Sequence, residues 1–239
     1  IVGDSAGGLF LYNRSSQTIA ATNFASSSPF TNLIELDSTR FVASVLNSIQ
    51  LCDKSTLTCV VGVAAAHSYN IAVLALINPR TLLTCSLGTF CKVWNLNSMT
   101  STLSFTQHTS AVASVSVLCD QFSVATGDGV GYLKVWQWGT GQMTLSTQVP
   151  VGGDGQVLAL TQLSSSLLAC ADSSNNIYVF DMLGNRVSTL TGNTGQIAQI
   201  GLLTRQILVS VAVDNQVLAW TWANASKLQQ INIGVSIVR

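Results

Sequence analysis

Residues 86–118, SLGTFCKVWNLNSMTSTLSFTQHTSAVASVSVL, decide the fold because they contain the end of one copy and the start of the next copy of a pattern that recurs along the chain. Within them, CKVWNL (91–96) alternates between apolar and polar residues, which is typical of a strand with one buried face. An apolar stretch and a turn precede this segment, and another turn and strand follow it. Further copies of the same unit of strands and turns occur on both sides of it.

Six segments of this kind recur at intervals of 40 to 44 residues, and each has an aromatic residue or a cysteine at the same position. A period of this length is typical of the four-stranded blades of propellers. No segment has the apolar period and the length of a helix, so we expect strands and turns throughout. The segments are LFLYN (9–13), SIQLCD (48–53), CKVWNL (91–96), LKVWQW (133–138), IYVFDM (177–182) and VLAWTW (217–222), and their shared position is occupied by Tyr12, Cys52, Trp94, Trp136, Phe180 and Trp220.

These repeats resemble those of the WD-repeat β-propeller family. The resemblance covers the whole chain, although Asp follows the aromatic position only at Asp181 and Asn193 stands at a His position of the family. It implies an all-β fold, a six-bladed β-propeller of four-stranded antiparallel blades that forms a single domain over residues 1–239. The matching segments are VWN (93–95), VWQ (135–137) and VFD (179–181) at the Trp-Asp pair of the family, and FTQHTSAVASV (105–115) and LTGNTGQIAQI (190–200) at its Gly-His and following strand.

The blades of that family carry a hydrogen-bond relay that joins a His, a strand Ser or Thr, a turn Asp and the Trp. The resemblance implies one full relay in this chain, formed by His108, either Ser123 or Thr126, Asp128 and Trp136. We expect the other repeats to depend on apolar packing, because burial at about 25 cal/mol per Å² of apolar area can carry the fold without a relay. His108 is therefore expected to serve the fold and not catalysis.

Five repeats are complete, and the sixth is split between the two ends of the chain. IVGD (1–4) aligns with ATGD (125–128), the end of a second strand, and GVSIVR (234–239) aligns with GQIAQI (195–200), a first strand. We expect the C-terminal strand to pair with the N-terminal strands and close the ring, which protects sheet edges. Pairing with a neighbouring molecule is the alternative. The split repeat is shorter than the others, so we expect the chain to be trimmed from a longer polypeptide.

Four of the six cysteines lie in two short hairpins. One hairpin turn places Cys52 opposite Cys59, and another places Cys85 opposite Cys91. Directly opposed strand residues have Cβ atoms at the separation that a disulfide needs, so the spacing favours two disulfides and an oxidising compartment. The alternative is that these cysteines pack as small apolar side chains. No histidine lies at a spacing suited to zinc, and we expect neither a metal nor a cofactor.

Two sequons, NRS at Asn13 and NAS at Asn224, are candidate N-glycosylation sites near hairpin turns. A chain this rich in Asn, Ser and Thr also produces such triplets by chance.

Two tryptophans, Trp138 and Trp222, follow Trp136 and Trp220 two residues later and point to the same face of their strands. They either extend the core or form a candidate partner surface on which a glycan or a protein side chain stacks.

Charge is scarce in this chain. Lys, Arg, Asp and Glu make up 8% of its residues, against about a quarter in an ordinary protein, and the net charge is zero. This balance offers no electrostatic footprint for nucleic acid or an anionic membrane, and no apolar run approaches the roughly 18 residues of a membrane span. The sequence also lacks a recognisable nucleophile with its base, so we expect no enzymatic activity.

The composition and the resemblance together favour a non-catalytic structural or protein-interaction module. Surface charge normally keeps the copies of a soluble protein apart, so we expect this charge-poor surface to be covered by N-glycans or by protein partners, including copies of the chain itself. Our main hypothesis is a subunit of an extracellular or secreted assembly or filament. The alternatives are a cytoplasmic scaffold, which free thiols would favour, and a hydrolytic enzyme with its site in the central channel.

Overall fold

The structure, a computed structural model, describes residues 1–3, 7–13, 15–24, 28–120, 122–139, 141–152 and 155–232. These residues form antiparallel strands joined by turns, and no helix occurs among them. It follows that this part of the chain contains no helix of the length and apolarity that crossing a membrane requires. The chain divides into two compact units, residues 1–107 and 108–239.

The first unit contains three sheets within its described residues. One has three strands, and the other two have four strands each, hydrogen-bonded in chain order. The strands are β1 (Val2–Gly3), β2 (Gly8–Asn13) and β3 (Thr18–Phe24); β4 (Phe30–Glu35), β5 (Arg40–Val45), β6 (Ser48–Asp53) and β7 (Cys59–Val63); and β8 (Ile71–Asn78), β9 (Thr81–Ser86), β10 (Cys91–Asn95) and β11 (Thr100–Phe105).

The second unit contains three four-stranded sheets, again with strands paired in chain order. Its strands are β12 (Val112–Val117), β13 (Ser123–Asp128), β14 (Tyr132–Gly139) and β15 (Gln142–Pro150); β16 (Val157–Ser164), β17 (Leu167–Asp172), β18 (Ile177–Asp181) and β19 (Arg186–Leu190); and β20 (Ile197–Leu202), β21 (Ile207–Ala212), β22 (Gln216–Thr221) and β23 (Ser226–Asn232).

All six sheets share one irregularity of register. The pairing of the last two strands shifts by one residue where the shared aromatic or cysteine position begins, so the last strand carries an extra residue there. A bulge of this kind bends a strand and increases its twist, and its recurrence shows that the six sheets follow one plan that is consistent with a β-propeller-like fold. The shifts fall at Leu11/Tyr12, Leu51/Cys52, Val93/Trp94, Val135/Trp136, Val179/Phe180 and Ala219/Trp220.

Successive sheets within a unit pack through their first strands, as β12 does against β16 and β16 against β20. A Cβ atom at Gly127 in β13 would lie 2.3 Å from Cγ1 of Val157 in β16, so the approach of these two sheets requires glycine. The shared aromatic or cysteine position is buried in every four-stranded sheet. Tyr12, the exception, is 45% exposed; among the described residues, β1 pairs with β2 at Leu9 and Phe10.

Candidate functional site

A chain of hydrogen bonds joins four buried side chains in the β12–β15 sheet. Nε1 of Trp136 donates to Oγ1 of Thr126 at 2.7 Å, and the same Oγ1 lies 2.7 Å from Nε2 of His108. Nδ1 of His108 lies 2.8 Å from Oδ2 of Asp128. With its proton on Nδ1, the imidazole donates to the carboxylate and accepts from the threonine hydroxyl. All hydrogen bonds of the chain then run from the indole towards the carboxylate, and each strengthens the next by polarisation.

The strand register explains why these side chains meet. Thr126 and Asp128 lie two residues apart on β13 and therefore share a face of the sheet. Trp136, on the neighbouring strand β14, pairs with Val124 of β13, and His108 lies just before β12. Ser123, the alternative to Thr126, instead donates its hydroxyl proton to the carboxylate of Asp120 at 2.6 Å.

The carboxyl group of Asp128 is held in its charged form. Its burial raises the pKa, but the bond to His108 and the backbone N–H groups of Tyr132 and Val130 outweigh that effect and lower the pKa below 3.8. Burial in turn lowers the pKa of nearby Lys134, although the charge of Asp128 opposes this. The relay therefore contains a stable buried anion.

A shorter relay occurs in the β8–β11 sheet. Nε2 of His67 lies 2.6 Å from Oγ1 of Thr84, which also accepts a hydrogen bond from Nε1 of Trp94 at 2.8 Å. Ser86 occupies the position of the relay aspartate. Burial, together with the positive charge of Lys92, lowers the pKa of His67 to about 4, so this imidazole is neutral at physiological pH.

The β20–β23 sheet contains a second short relay, in which Asn193 replaces the histidine. Oγ of Ser210 donates to Oδ1 of Asn193 at 2.8 Å, and Nε1 of Trp220 donates to Oγ of Ser210 at 2.9 Å. Ala212 stands at the aspartate position, and Nδ2 of Asn193 is buried without a hydrogen-bond partner among the described residues. The expectation that repeats other than the fourth depend on apolar packing alone is therefore wrong for two of them.

The short relays could have been found from the sequence by their spacing. The hydroxyl residue precedes the tryptophan by ten residues in all three sheets, and the histidine or asparagine precedes the hydroxyl residue by 17 or 18. In the β16–β19 sheet, Cys170 occupies the hydroxyl position, and the phenol of Tyr178 donates to Asp172 at 3.3 Å. Burial raises the pKa of the Cys170 thiol well above its usual range.

Both disulfides favoured by the sequence are present in the first unit. Cys52 on β6 is bonded to Cys59 on β7, with an S–S distance of 2.10 Å, and Cys85 on β9 is bonded to Cys91 on β10, with 2.04 Å. Each pair consists of directly opposed residues of adjacent strands. Two such bonds indicate an oxidising environment.

Turn aspartates accept hydrogen bonds from their own turns. The Asp37 carboxylate accepts hydrogen bonds from the side chain of Arg40 and the backbone N–H of Thr39. The Asp53 carboxylate accepts hydrogen bonds from the hydroxyl of Ser55 and the backbone N–H of Thr56. These bonds lower the pKa of both carboxyl groups. Among the described residues, no group of three or more His, Cys, Asp and Glu side chains could hold a metal ion.

The two candidate glycosylation sites differ in what the structure describes. Asn224 is exposed in the turn between β22 and β23, where Thr221 donates a hydrogen bond to its Oδ1 and not to Nδ2, the atom that would carry a glycan. Asn13 is the last residue of β2, but its side chain and the following residue lie outside the described part of the chain.

The tryptophans of the candidate partner surface, Trp138 and Trp222, are both half-buried. Trp222 packs against the core cluster that contains Leu163, and its Nε1 is buried without a hydrogen-bond partner in the described structure.

The sequence matches no protein-family model and no curated protein. The WD-repeat resemblance therefore rests on the repeated segments themselves.

Proposed function

We propose that the chain is a WD-repeat-like, six-bladed β-propeller that serves as a non-catalytic structural and protein-interaction module in an extracellular assembly. The observation that carries this proposal is the relay of the β12–β15 sheet. The side chains of His108 and Asp128, which could form a catalytic pair in a cleft, are only 1% and 0% exposed and bond to Thr126 and Trp136 within the fold. Their role is to join strands.

We further propose that residues 234–239 close the ring. Among the described residues, the three-stranded sheet β1–β2–β3 has no strand at the position that β4 and β8 occupy in the other sheets of the first unit. The segment GVSIVR lies outside the described residues, and its alignment with the first-strand segment at 195–200 is the support for this assignment. Closure would provide β1 with a partner on its free side.

An exposed apolar patch in the first unit is the surface that we assign to association. It consists of Tyr69, Leu87 and Phe90 at one end of the β8–β11 sheet, where Tyr69 is 63% exposed. The ring of Tyr69 lies against Gly88, since a Cβ atom there would be 2.9 Å from Cδ2 of the tyrosine. The backbone N–H of Leu87 donates to Asn70 at 2.8 Å, which holds the two parts of the patch together. We name it the Tyr69 patch.

The extracellular location is supported by three separate features. The two disulfides require an oxidising environment, Asn224 is exposed within a sequon, and charged residues make up only 8% of the chain. With so little charge available for repulsion between copies, association through apolar surface is favoured. The partners that we propose are copies of this chain or other secreted proteins.

Sedimentation velocity of the purified chain at 0.15 M and 1 M NaCl tests the proposed assembly. Because salt screens charges and has little effect on apolar contacts, we expect the associated species to persist at 1 M NaCl. The double variant Tyr69→Ser/Phe90→Ser should shift the distribution to monomer. Leu183→Ser, which removes an apolar side chain that is 83% exposed in the second unit, is the matched control and should leave the distribution unchanged. A wild-type monomer at all concentrations, or dissociation by salt, would contradict the proposal.

Mass spectrometry of the chain secreted from a eukaryotic host tests the proposed location. We expect both disulfides to be intact and a glycan to be attached at Asn224. Retention inside the cell with Cys52, Cys59, Cys85 and Cys91 reduced would support a cytoplasmic scaffold instead.

A further inference from the structure

A cleft of about 600 Å³ lies at one end of the second unit, where three hairpin turns of successive sheets come together. The turn after β12 contributes Cys119, the end of β16 and its turn contribute Gln162 and Ser165, and the turn after β20 contributes Arg205. Trp222, the first residue beyond β22, forms a further wall. A smaller cavity of about 190 Å³ shares Cys119, Gln162 and Ser165 with the cleft.

The walls of the cleft are fixed by contacts with the fold. Oε1 of Gln162 accepts a hydrogen bond from the backbone N–H of Cys119 at 2.6 Å, and Nε2 of the same amide lies 3.4 Å from the Cys119 sulfur. These bonds connect the β12–β15 and β16–β19 sheets. On the opposite side, Trp222 packs against the core beside Leu163 and Leu167. The cleft is therefore preformed, as small-molecule sites usually are.

The lining of the cleft has one formal charge, the guanidinium of Arg205. Within the described structure, Arg205 forms no ion pair and no side-chain hydrogen bond. Asp120, the neighbour of Cys119 in the chain, lines only the smaller cavity, and its carboxylate is occupied by the backbone N–H groups of Phe122 and Ser123 and by the Ser123 hydroxyl. The Arg205 guanidinium is thus available to an anion.

Trp222 supplies a flat apolar wall and an unused donor. Its Nε1 has no hydrogen-bond partner in the described chain, although a buried polar group normally has one. The atom is closed to solvent in this arrangement, so a ligand would reach it only after a small tilt of the ring.

We propose that this cleft binds a carboxylated sugar, of the uronic acid class. The guanidinium of Arg205 would pair with the carboxylate, which it can bind through two parallel hydrogen bonds. The apolar face of the sugar ring packs on Trp222, and the hydroxyl groups of the ring find partners in Gln162 and Ser165. A neutral sugar satisfies the last two contacts but not the first, so the charge determines the preference.

The test uses methyl β-D-glucuronide and methyl β-D-glucoside, which differ by a carboxylate in place of a hydroxymethyl group. Because Cys119 is an exposed free thiol in the wall of the cleft and Cys170 is buried, the rate of alkylation by iodoacetamide reports on occupancy of the cleft. We expect the glucuronide to slow alkylation at millimolar concentration and to bind at least about tenfold more tightly than the glucoside in calorimetry. Equal binding of the two sugars, or no binding of the glucuronide, would overturn the proposal.

Variants assign the binding to this cleft. Arg205→Gln should remove the preference for the glucuronide, whereas Arg186→Gln, the same change at an arginine outside the cleft lining, should retain it. Trp222→Phe keeps an aromatic wall and should still bind, and Trp222→Leu should lose affinity for both sugars. Circular dichroism of each variant identifies any that fails to fold. An Arg205→Gln variant that folds and still prefers the glucuronide would refute the role of this guanidinium, whether or not the chain self-associates.

Discussion

Replacement of Thr126 by Val is expected to destabilise the protein by about 3 kcal/mol. The valine has nearly the shape of threonine, so the change removes the hydroxyl without creating a large cavity. It deprives two buried groups of their partner, Nε1 of Trp136 and Nε2 of His108, each of which lies 2.7 Å from Oγ1 of Thr126. A buried group left without its partner costs about 1–3 kcal/mol, which gives about 2–6 kcal/mol for the pair.

Urea unfolding followed by near-ultraviolet circular dichroism measures this loss. With a slope of about 2 kcal/mol per M, a loss of about 3 kcal/mol lowers the transition midpoint by about 1.5 M without a change of slope. Thr126→Ser keeps the hydroxyl and loses one methyl group, so it should cost only about 1 kcal/mol. A Thr126→Val midpoint within about 0.2 M of the wild type, or equal losses for the two variants, would refute the account of the relay.

Three further effects follow from the structure. Burial lowers the pKa of His67 from 6.5 to about 4, so the contribution of this residue to the free energy of unfolding should be constant above pH 6.5. As the pH decreases from 6.5 to 4, that free energy should fall by about 2 kcal/mol after allowance for solvent screening. Urea midpoints should show this fall in the wild type and a smaller one in His67→Gln. The double variant Cys85→Ala/Cys91→Ala removes a disulfide that joins residues six positions apart, and its free energy of unfolding should be about 2 kcal/mol lower than that of the wild type. An unchanged free energy of unfolding would show that the disulfide does not constrain the unfolded chain. Gly127→Ala should cost about 1–3 kcal/mol by overpacking, whereas Gly62→Ala, where the nearest atom to the new Cβ is 3.4 Å away, should be nearly neutral in the same thermal unfolding assay.

The strands and the disulfides could be predicted from the sequence because local patterns determine them. Alternation of apolar residues identifies a strand, and the length of a hairpin turn places Cys52 opposite Cys59. The relay of His108 and Asp128 followed from the resemblance, since both residue types stand at the positions where the WD-repeat family has them.

The remaining features depend on tertiary placement of ordinary residues. Asn193 and Ser210 are common polar residues 17 positions apart, and although this spacing matches that of the other relays, the hydrogen bonds of Ser210 to Asn193 and Trp220 are what establish a relay here. The cleft is harder still to predict from the sequence, because Gln162 near the end of β16 and Arg205 in the turn after β20 belong to different sheets, and no spacing along the chain connects them. Such sites become recognisable only when the register of each sheet is known.

Hydrogen exchange of a chain lacking residues 234–239 most directly tests our proposal that the six sheets form one closed module. If that segment supplies the missing strand of the first sheet, its deletion should speed amide exchange in β1 and β2 by the same factor at every protein concentration. Exchange in the four-stranded sheet β12–β15 should remain unchanged. Identical exchange of β1 and β2 in the full and shortened chains, or a difference that appears only at high protein concentration, would contradict closure within one chain.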